Sequence, residues 1–473
     1  MDVTLLAPEI VLAVFACLVI LVDLLLSPEV KRVNLYLTLV GIAASAVAAL
    51  SLVGRNTTSF YGMLVVDDFA IFFKLAFLLA AALVALSAVA FLERNPGTEG
   101  EFYGLLLFST TGMMLMAGTR ELISIYVALE LTSISLYLLA GLSKRDMKSS
   151  EAALKYLLLG ALSSAVLLYG MALLYGLSGS TDLAGIAKAV GRGTSPALLL
   201  AMSLVAAGFG FKIAAVPFQM WAPDVYEGAP TPVTAFLSVA SKAAGFAVVI
   251  RVFTVAMGNI QPEWTTLFAV LAALTMTLGN VVAIAQRNIK RMLAYSSIGH
   301  AGYLLLGVAA ATVSGVSGVL FYLLVYTVTN VAAFTVVIMA SRAVPDDSIE
   351  GYAGLHRRSP LLSLALAISL LSLAGLPPMA GFFAKFYLFA AAYQAGLVWL
   401  VVLGLLNSAI SLYYYVWVIR QMYLAAPADD APVRFPMPAS VSLGAALVGI
   451  FAFGLLSDPL FTFARLAVGG MVH

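Results

Sequence analysis

The chain has 473 residues, of which 62% are hydrophobic and only 10% are charged, whereas about a quarter of the residues of soluble proteins are charged. A formal net charge of +2, with basic residues set singly or in small groups between apolar stretches, excludes a nucleic-acid partner. A single cysteine and three scattered histidines exclude an internal disulfide and a Cys-ligated zinc or iron–sulfur site, so no metal or haem is expected in this chain.

Apolar stretches long enough to cross a bilayer, about 20 residues each, predict about 14 transmembrane helices and therefore an all-α polytopic membrane protein. The predicted spans are residues 5–26, 35–54, 67–92, 102–118, 121–142, 150–177, 196–222, 232–257, 264–285, 291–312, 316–341, 362–394, 397–423 and 438–457.

The distribution of basic residues predicts the orientation, because short cytoplasmic loops carry most of the Lys and Arg of a membrane protein. Loops after odd-numbered spans contain Lys31, Arg32, Arg94, Lys144, Arg145, Lys148, Arg287, Lys290, Arg291, Arg342, Arg357, Arg358, Arg420 and Arg434. Loops after even-numbered spans, with both termini, contain Arg55, Arg120, Lys188, Arg192 and Arg465. We therefore expect the odd loops in the cytoplasm and both termini outside it.

Two spans are interrupted by proline. Pro217 follows Lys212 by five residues in the seventh span, and Leu376-Pro377-Pro378 precedes Lys385 by seven residues in the twelfth. Proline breaks a helix, which a membrane tolerates where the freed carbonyl groups face protein or water. Paired broken spans are typical of transporters built from internal repeats, and an offset of five spans, an odd number, makes the repeats inverted.

A second, weaker sign of repetition is the string Tyr156-Leu-Leu-Leu in the sixth span, which resembles Tyr322-Leu-Leu-Val in the eleventh. Chance recurrence of such strings in apolar sequence explains it equally well. The expected division is residues 1–100 as an N-terminal three-helix segment, 101–258 and 259–424 as the two five-helix repeats, and 425–473 as a C-terminal helix.

Five ionisable residues are predicted deep in the bilayer. Glu130, Lys242 and His300 lie nine or ten residues into their spans, about 14 Å from the edge at 1.5 Å per residue, and Lys212 and Lys385 lie beside the breaks. A charge at this depth is costly and usually functional. Desolvation favours a neutral lysine, a nearby glutamate favours a charged one, and histidine titrates near neutral pH, so the row suits a proton relay. A structural ion pair or a hydrogen-bonded core histidine is the alternative for each.

Other polar residues receive less specific expectations. Lys74 and Arg251 are expected to reach the membrane surface with their charged ends, although a functional Lys74 is equally compatible with the sequence. Glu151 and Lys155 begin the sixth span and are expected mainly to stabilise that helix end, with proton uptake as the alternative. Tyr413, Tyr414 and Tyr415 indicate an aromatic belt or helix packing.

Five segments carry a family resemblance: YVALELTSISLYLLAGL around Glu130, KYLLLGALSSAVLLYG in span six, FKIAAVPFQMWAPDVYEGAPTPVTAFLSVASKAAGF around Lys212 and Lys242, RNIKRMLAYSSIGHAGYLLLG around His300, and LLSLAGLPPMAGFFAKFYLF around Lys385. With them the sequence resembles the antiporter-like membrane subunits of NADH:quinone oxidoreductase, respiratory complex I, and within these the subunit N or subunit 2 group. A lysine at 385 and an ending soon after span fourteen favour that group.

The resemblance implies a fold of 14 helices with two inverted five-helix repeats and broken helices. It also implies site roles: Glu130 and Lys212 as an ion pair that modulates the relay, Lys242 as the connecting lysine, His300 as a bridge and Lys385 as the end of the outlet. The implied function is proton pumping coupled to electron transfer from NADH to quinone, in a bacterial inner membrane.

FMN, iron–sulfur clusters, NADH and quinone would then belong to partner subunits, with the other membrane subunits and the lipid bilayer as direct neighbours. A sodium/proton antiporter of the Mrp type or a membrane-bound hydrogenase remains as an alternative, since both use similar subunits, and a purely structural anchor is a third.

Overall fold

A computed structural model describes residues 2–27, 30–191, 193–341, 343–344, 346–426, 433 and 435–469. Arg192, Arg342, Arg434 and the histidine at the C-terminus lie outside the described residues. The described chain is a bundle of membrane-length α-helices with one short β-hairpin, in agreement with the predicted all-α fold class.

The helices follow the predicted spans with differences at their ends. They are α1 (Ala7–Leu25), α2 (Val33–Leu50), α3 (Asp68–Leu92), α4 (Glu99–Ala117), α5 (Leu122–Ala140), α6 (Met147–Ser178), α7 (Leu183–Val190), α8 (Pro196–Lys212), α9 (Trp221–Gly228), α10 (Thr231–Phe236), α11 (Lys242–Arg251), α12 (Gln261–Ala283), α13 (Ile289–Ala309), α14 (Val313–Ala340), α15 (Leu355–Arg358), α16 (Pro360–Ala374), α17 (Ala380–Gln394), α18 (Val398–Leu424), α19 (Met437–Leu455) and α20 (Ser457–Val468).

Polar side chains fix where these apolar helices begin. Asp67 caps α3 by accepting a hydrogen bond from the backbone N–H of Ala70 at 2.8 Å, and Glu121 caps α5 through the N–H groups of Ile123 and Ser124. Within the described residues, 11 helices are long and apolar enough to cross a membrane, and α8 and α16 are shorter apolar helices.

Both predicted breaks are present and lie inside the bundle. The seventh span consists of α8, an irregular turn and the short α9; the twelfth consists of α16, a turn around Gly375 and α17. Each turn contains a cis peptide bond before a proline, Val216–Pro217 and Pro377–Pro378.

The centre of the bundle is formed by the span from α10 to α11, by α13 and by α14, which are almost entirely buried by the surrounding helices. Two π-helical turns, Leu237–Ser241 and Val252–Ala256, interrupt the first of these spans on either side of α11. Each turn changes the direction of the side chains that follow it, and such turns occur frequently at functional sites.

Several described elements lie outside the predicted spans. Strands β1 (Thr57–Ser59) and β2 (Leu64–Val66) form an antiparallel hairpin between α2 and α3, in which Thr57 pairs with Val66. The short helices α7 and α15 lie between spans, and α20 follows the last span and packs on α3 and α14. Basic residues gather at the face of the bundle where α3 and α5 end and α6 and α13 begin, here named the basic face; β1 and β2 lie at the opposite face.

Candidate functional site

The five predicted ionisable residues lie on five different helices that converge inside the bundle: α5, α8, α11, α13 and α17. Lys212, Lys242, His300 and Lys385 are each at most 5% exposed, and Glu130 is half-buried. The burial of three lysines in one bundle is the main feature of the site, because an ammonium group removed from water needs compensating hydrogen bonds or charges.

Glu130 and Lys212 each form a hydrogen bond with a serine side chain, but with different serines. The Ser164 hydroxyl donates to Glu130 Oε1 at 2.5 Å, and Lys212 Nζ donates to the Ser133 hydroxyl at 2.8 Å. Ser133 lies three residues after Glu130 on α5, hence on the same side of that helix. No salt bridge of at most 4 Å joins Glu130 and Lys212 among the described residues, and their role as a modulating ion pair stays a prediction.

The first break holds Lys212 at the very end of α8. Around it the freed backbone groups find partners: Val216 N–H donates to the Thr275 hydroxyl at 3.0 Å, and the indole N–H of Trp221 donates to the carbonyl of Phe211 at 2.8 Å. The backbone of the break is thus satisfied by protein, which allows an irregular segment at membrane depth.

Lys242 lies directly after the π-helical turn Leu237–Ser241, at the first position of α11. Its Nζ donates to the carbonyl and the hydroxyl of Ser297 on α13, and lies 5.7 Å from the centre of the Tyr326 ring. The Tyr226 hydroxyl reaches the same Ser297 hydroxyl at 3.5 Å. Neutral groups thus hold this ammonium, and no carboxylate of the described residues lies within 4 Å of it.

His300 is held by tyrosine hydroxyls on both ring nitrogens. Nδ1 lies 2.5 Å from the Tyr322 hydroxyl and Nε2 lies 3.1 Å from that of Tyr415, which in turn lies 2.5 Å from the Ser296 hydroxyl. Each of these groups can donate or accept a hydrogen bond, so the network can reverse its direction.

Lys385 lies against the second break. Its Nζ donates to the carbonyl of Ala374, the last residue of α16, and to the Ser408 hydroxyl, both at 2.8 Å. The C-terminal end of a helix carries partial negative charge, which stabilises the ammonium. The Tyr303 ring lies 5.0 Å from Nζ and adds a cation–π contact.

An amide and hydroxyl network joins the surroundings of His300 to those of Lys385. Asn280 on α12 donates to the Tyr303 hydroxyl at 3.1 Å and accepts from the Tyr414 hydroxyl at 2.9 Å. Asn280 and Tyr322 were not predicted to belong to the site. Tyr414 and Tyr415 are buried and hydrogen-bonded in the bundle, in agreement with helix packing, one of the two alternatives that the sequence left open. Tyr413 alone of the three tyrosines is exposed, as an aromatic belt requires.

A cluster of charged residues surrounds a cavity of about 180 Å³ at the basic face. Its charged lining residues are Lys148, Glu151, Lys155, Asp224, Glu227 and Arg291. Lys155 and Arg291 donate to the two oxygens of Asp224 at 2.8 and 2.7 Å. Burial acts to raise the pKa of Asp224, but these hydrogen bonds outweigh it and lower that pKa.

Two more buried charges lie nearer the opposite face, and both correct the expectation that they reach the membrane surface. Arg251 is fully buried and forms a bidentate ion pair with Asp67, with nitrogen–oxygen distances of 2.8 and 2.9 Å. Lys74 is also fully buried, with its Nζ 2.7 Å from Glu9 Oε1. Both cations can be buried because carboxylates from distant parts of the chain lie beside them.

Across the described residues, no group of three or more His, Cys, Asp or Glu could hold a metal ion.

Comparison with known proteins places this geometry in context. The sequence profile of a family described as NADH:quinone oxidoreductase/Mrp antiporter, transmembrane, matches residues 119–411. NADH-quinone oxidoreductase subunit N of Trichlorobacter lovleyi is 47% identical over 466 residues, which cover 98% of this chain and 96% of that protein.

Two solved structures show the same architecture. A chain of respiratory complex I from Thermus thermophilus aligns with a TM-score of 0.81 at 36% identity, over 97% of this chain and 99% of that one. A chain of the Mrp complex from a Dietzia species aligns with a TM-score of 0.86 over 100% of this chain and 98% of that one. At 22% identity, the second likeness is one of fold.

Proposed function

We propose that this chain, which belongs to the NADH:quinone oxidoreductase/Mrp antiporter transmembrane family, translocates protons as a membrane subunit of NADH:quinone oxidoreductase. Its relatives are subunits of that enzyme, so the resemblance inferred from the sequence is confirmed. The nearly full-length match to subunit N favours the complex I assignment over the Mrp antiporter, for which the likeness is one of fold.

The observation that carries the proposal is the row of buried cations held by neutral groups. Lys242 and Lys385 each donate to a carbonyl and a hydroxyl oxygen, and Lys212 donates to a hydroxyl. In a buried lysine that has no carboxylate at contact distance, the charged and the neutral form are close in free energy. A small shift of charge nearby can therefore make the lysine take up or release a proton. Structural stability alone does not explain why three lysines are buried at the same depth of the membrane.

In this proposal Glu130 sets the charge of Lys212 through space rather than through a salt bridge. Because Glu130 and Lys212 form no salt bridge among the described contacts, the carboxylate and the ammonium can approach or separate by side-chain rotation without breaking a direct ion pair. Moving one charge across 100 mV requires about 2.3 kcal/mol, which is within the range of such an electrostatic change.

Protons would enter from the basic face and leave at the opposite face. The charged cavity at the basic face contains Asp224 and Glu227 on α9, and Tyr226 between them reaches Ser297, the partner of Lys242. Glu151 and Lys155 would keep this cavity hydrated. At the other end, Lys385 lies on α17, which runs from the break toward the opposite face.

Partner subunits would supply FMN, the iron–sulfur clusters and the binding sites of NADH and quinone. This chain would respond to their reaction by a change of charge or hydration along its axis. The basic face would be cytoplasmic, with both termini outside, in the inner membrane of a bacterial cell. The four-part division into a three-helix segment, two repeats and a final helix is part of the same proposal.

The test is proton pumping by the assembled enzyme carrying Lys212→Met, which removes the charge and keeps the length of the side chain. Pumping into inverted membrane vesicles is measured per NADH oxidised, at equal complex content on a native gel. We expect fewer protons per NADH than in the unmodified enzyme. Lys188→Met, at an exposed position of α7, is the matched control and should pump normally.

Unchanged pumping in Lys212→Met would contradict the proposed relay. The same vesicles separate the alternative function: sodium uptake that is driven by an imposed pH gradient without NADH, and that a protonophore abolishes, would indicate the antiporter. Purification adds a further criterion, because a complex that lacks every NADH-oxidising subunit would contradict the complex I assignment.

A further inference from the structure

The described hydrogen bonds leave one step of the proposed relay without a connection. Lys212 donates to Ser133 on α5, whereas Lys242 donates to Ser297 on α13. No hydrogen bond found among the described residues joins these two pairs. A proton that passes from Lys212 to Lys242 therefore needs groups that the relay, as inferred from the sequence, does not include.

Two buried hydroxyl groups lie near these two pairs, and neither has a hydrogen-bond partner among the described residues. They belong to Tyr156 on α6, which is fully buried, and to Ser241, which is 1% exposed and immediately precedes Lys242. The two hydroxyls are neighbours but do not meet in direct hydrogen-bond geometry.

Buried hydroxyls without partners are unfavourable, and native structures nearly always satisfy them through protein or ordered water. A buried water needs two to four polar partners. Tyr156 and Ser241 provide two, each able to donate and accept. Ser241 is also the last residue of the π-helical turn Leu237–Ser241, and such turns open the regular hydrogen-bond ladder of a helix to a side chain or a water.

Packing directs Tyr156 toward the surroundings of Lys212. Its ring stacks on Trp221 with centroids 4.5 Å apart, and the Trp221 indole donates to the carbonyl of Phe211, the residue before Lys212. Its edge meets the Tyr137 ring, with centroids 4.7 Å apart at 84°.

Tyr137 completes the connection on that side. Its hydroxyl lies near Ser133, the partner of Lys212, and it occupies the space beside Gly160 that a Cβ atom would fill. Neighbouring polar residues therefore lead from Lys212 through Ser133, Tyr137, Tyr156 and Ser241 to Lys242.

We propose that the hydroxyls of Tyr156 and Ser241 hold an ordered water, and that this water together with the Tyr137 hydroxyl conducts protons between Lys212 and Lys242. The inference rests on the proposed function. In each transfer one proton leaves Nζ of Lys212, every hydroxyl and the water accept one proton and release another, and one proton arrives at neutral Nζ of Lys242. The number of protons is conserved, and one positive charge moves along the axis.

Tyr156→Phe and Ser241→Ala each remove one hydroxyl from the proposed water site. In the assembled enzyme, we expect both variants to lower the protons pumped per NADH by as much as Lys212→Met does. Ser241→Thr keeps a hydroxyl and should restore pumping, a rescue that loss of packing alone would not give.

The chain offers matched controls, because other buried hydroxyls without partners belong to elements that carry none of the relay residues. Tyr352→Phe is the control for Tyr156→Phe, and Ser109→Ala is the control for Ser241→Ala. Both controls should pump as the unmodified enzyme does.

Normal pumping by both Tyr156→Phe and Ser241→Ala, while Lys212→Met pumps less, would overturn this inference and leave the proposed function standing. Normal pumping by Lys212→Met as well would overturn the proposed function itself. If a variant fails to assemble, a density map of the unmodified complex at a resolution that shows ordered water decides: water within hydrogen-bond distance of both hydroxyls supports the inference, and its absence from the map overturns it.

Discussion

Asp67→Asn should destabilise the fold through its effect on Arg251, and the size of that effect can be worked out from the structure. The guanidinium group is fully buried and makes two hydrogen bonds to the Asp67 carboxylate and one of 2.9 Å to the carbonyl of Ala117. Asparagine caps a helix as well as aspartate does, so the start of α3 is preserved and only the charge is lost.

Removing one partner of a buried ion pair typically costs about 3 to 5 kcal/mol, because the other charge remains buried without compensation. With an unfolding entropy of roughly 2.1 cal/mol/K per residue, a chain of this length loses about 1 °C of Tm per kcal/mol. We therefore expect Tm to fall by roughly 3 to 5 °C. The measurement is the thermal stability of the detergent-solubilised complex, followed through a fluorescent protein fused to this chain.

Asp68→Asn is the matched control. Among the described contacts, the Asp68 carboxylate accepts one hydrogen bond, from the Gly54 N–H at 3.2 Å. The Tm of this variant should therefore differ from that of the unmodified chain by less than about 1 °C. The double change Asp67→Asn with Arg251→Met should recover most of the loss, because a buried pair can be replaced by apolar groups at little cost. If Asp67→Asn is as stable as its control, the ion pair does not hold α3 against α11.

The loss of stability caused by Asp67→Asn should become smaller in acid. Burial acts to raise the pKa of Asp67, but the charge and hydrogen bonds of Arg251 outweigh it and hold that pKa below the ordinary value of 3.8. The carboxylate therefore contributes stability that is fully present above pH 3.8 and is lost as the pH falls through the lowered pKa. The difference in Tm between the unmodified chain and Asp67→Asn should be constant from neutral pH to about pH 5 and shrink only in stronger acid.

Two further predictions concern other close contacts. Lys74→Met should lower stability by about 3 to 5 kcal/mol by leaving Glu9 buried without a cation, and Lys74→Met with Glu9→Gln should restore most of it; recovery of only a small part in the same thermal assay would contradict this. Gly381→Ala should prevent normal assembly, because a Cβ atom there would overlap the backbone oxygen of Ser372. Gly444→Ala, whose Cβ atom would meet open space, should leave the amount of complex on a native gel unchanged.

The transmembrane architecture could be predicted from the sequence because two features of the sequence indicate it directly. The length of the apolar stretches locates the spans, and proline locates the two breaks. Both features can be read without knowing which helices are neighbours. The β-hairpin and the short helices α7, α15 and α20 were missed because short elements between or after the spans have no such length requirement.

The buried lysines were also predictable, since a cation inside an apolar stretch is rare whatever surrounds it. Their partners were not, because hydropathy does not say which way a helix face points. Tyr415 and the exposed Tyr413 lie two residues apart in the same apolar helix, and only the packing of α18 against α13 separates them. Arg251 shows the same limit: the aspartate that neutralises it lies 184 residues away in the chain.

The π-helical turn before Lys242 has a consequence for how this protein can vary. Each residue of an α-helix advances the side chains by about 100°, and a π turn accommodates one extra residue. Deleting a single residue from Leu237–Ser241 would restore a continuous helix while turning everything before or after it by about a quarter of a circle, so that Lys242 would no longer face Ser297. The position of the lysine is thus encoded by the number of residues in this turn, and a change of length there would be as damaging as loss of the lysine itself.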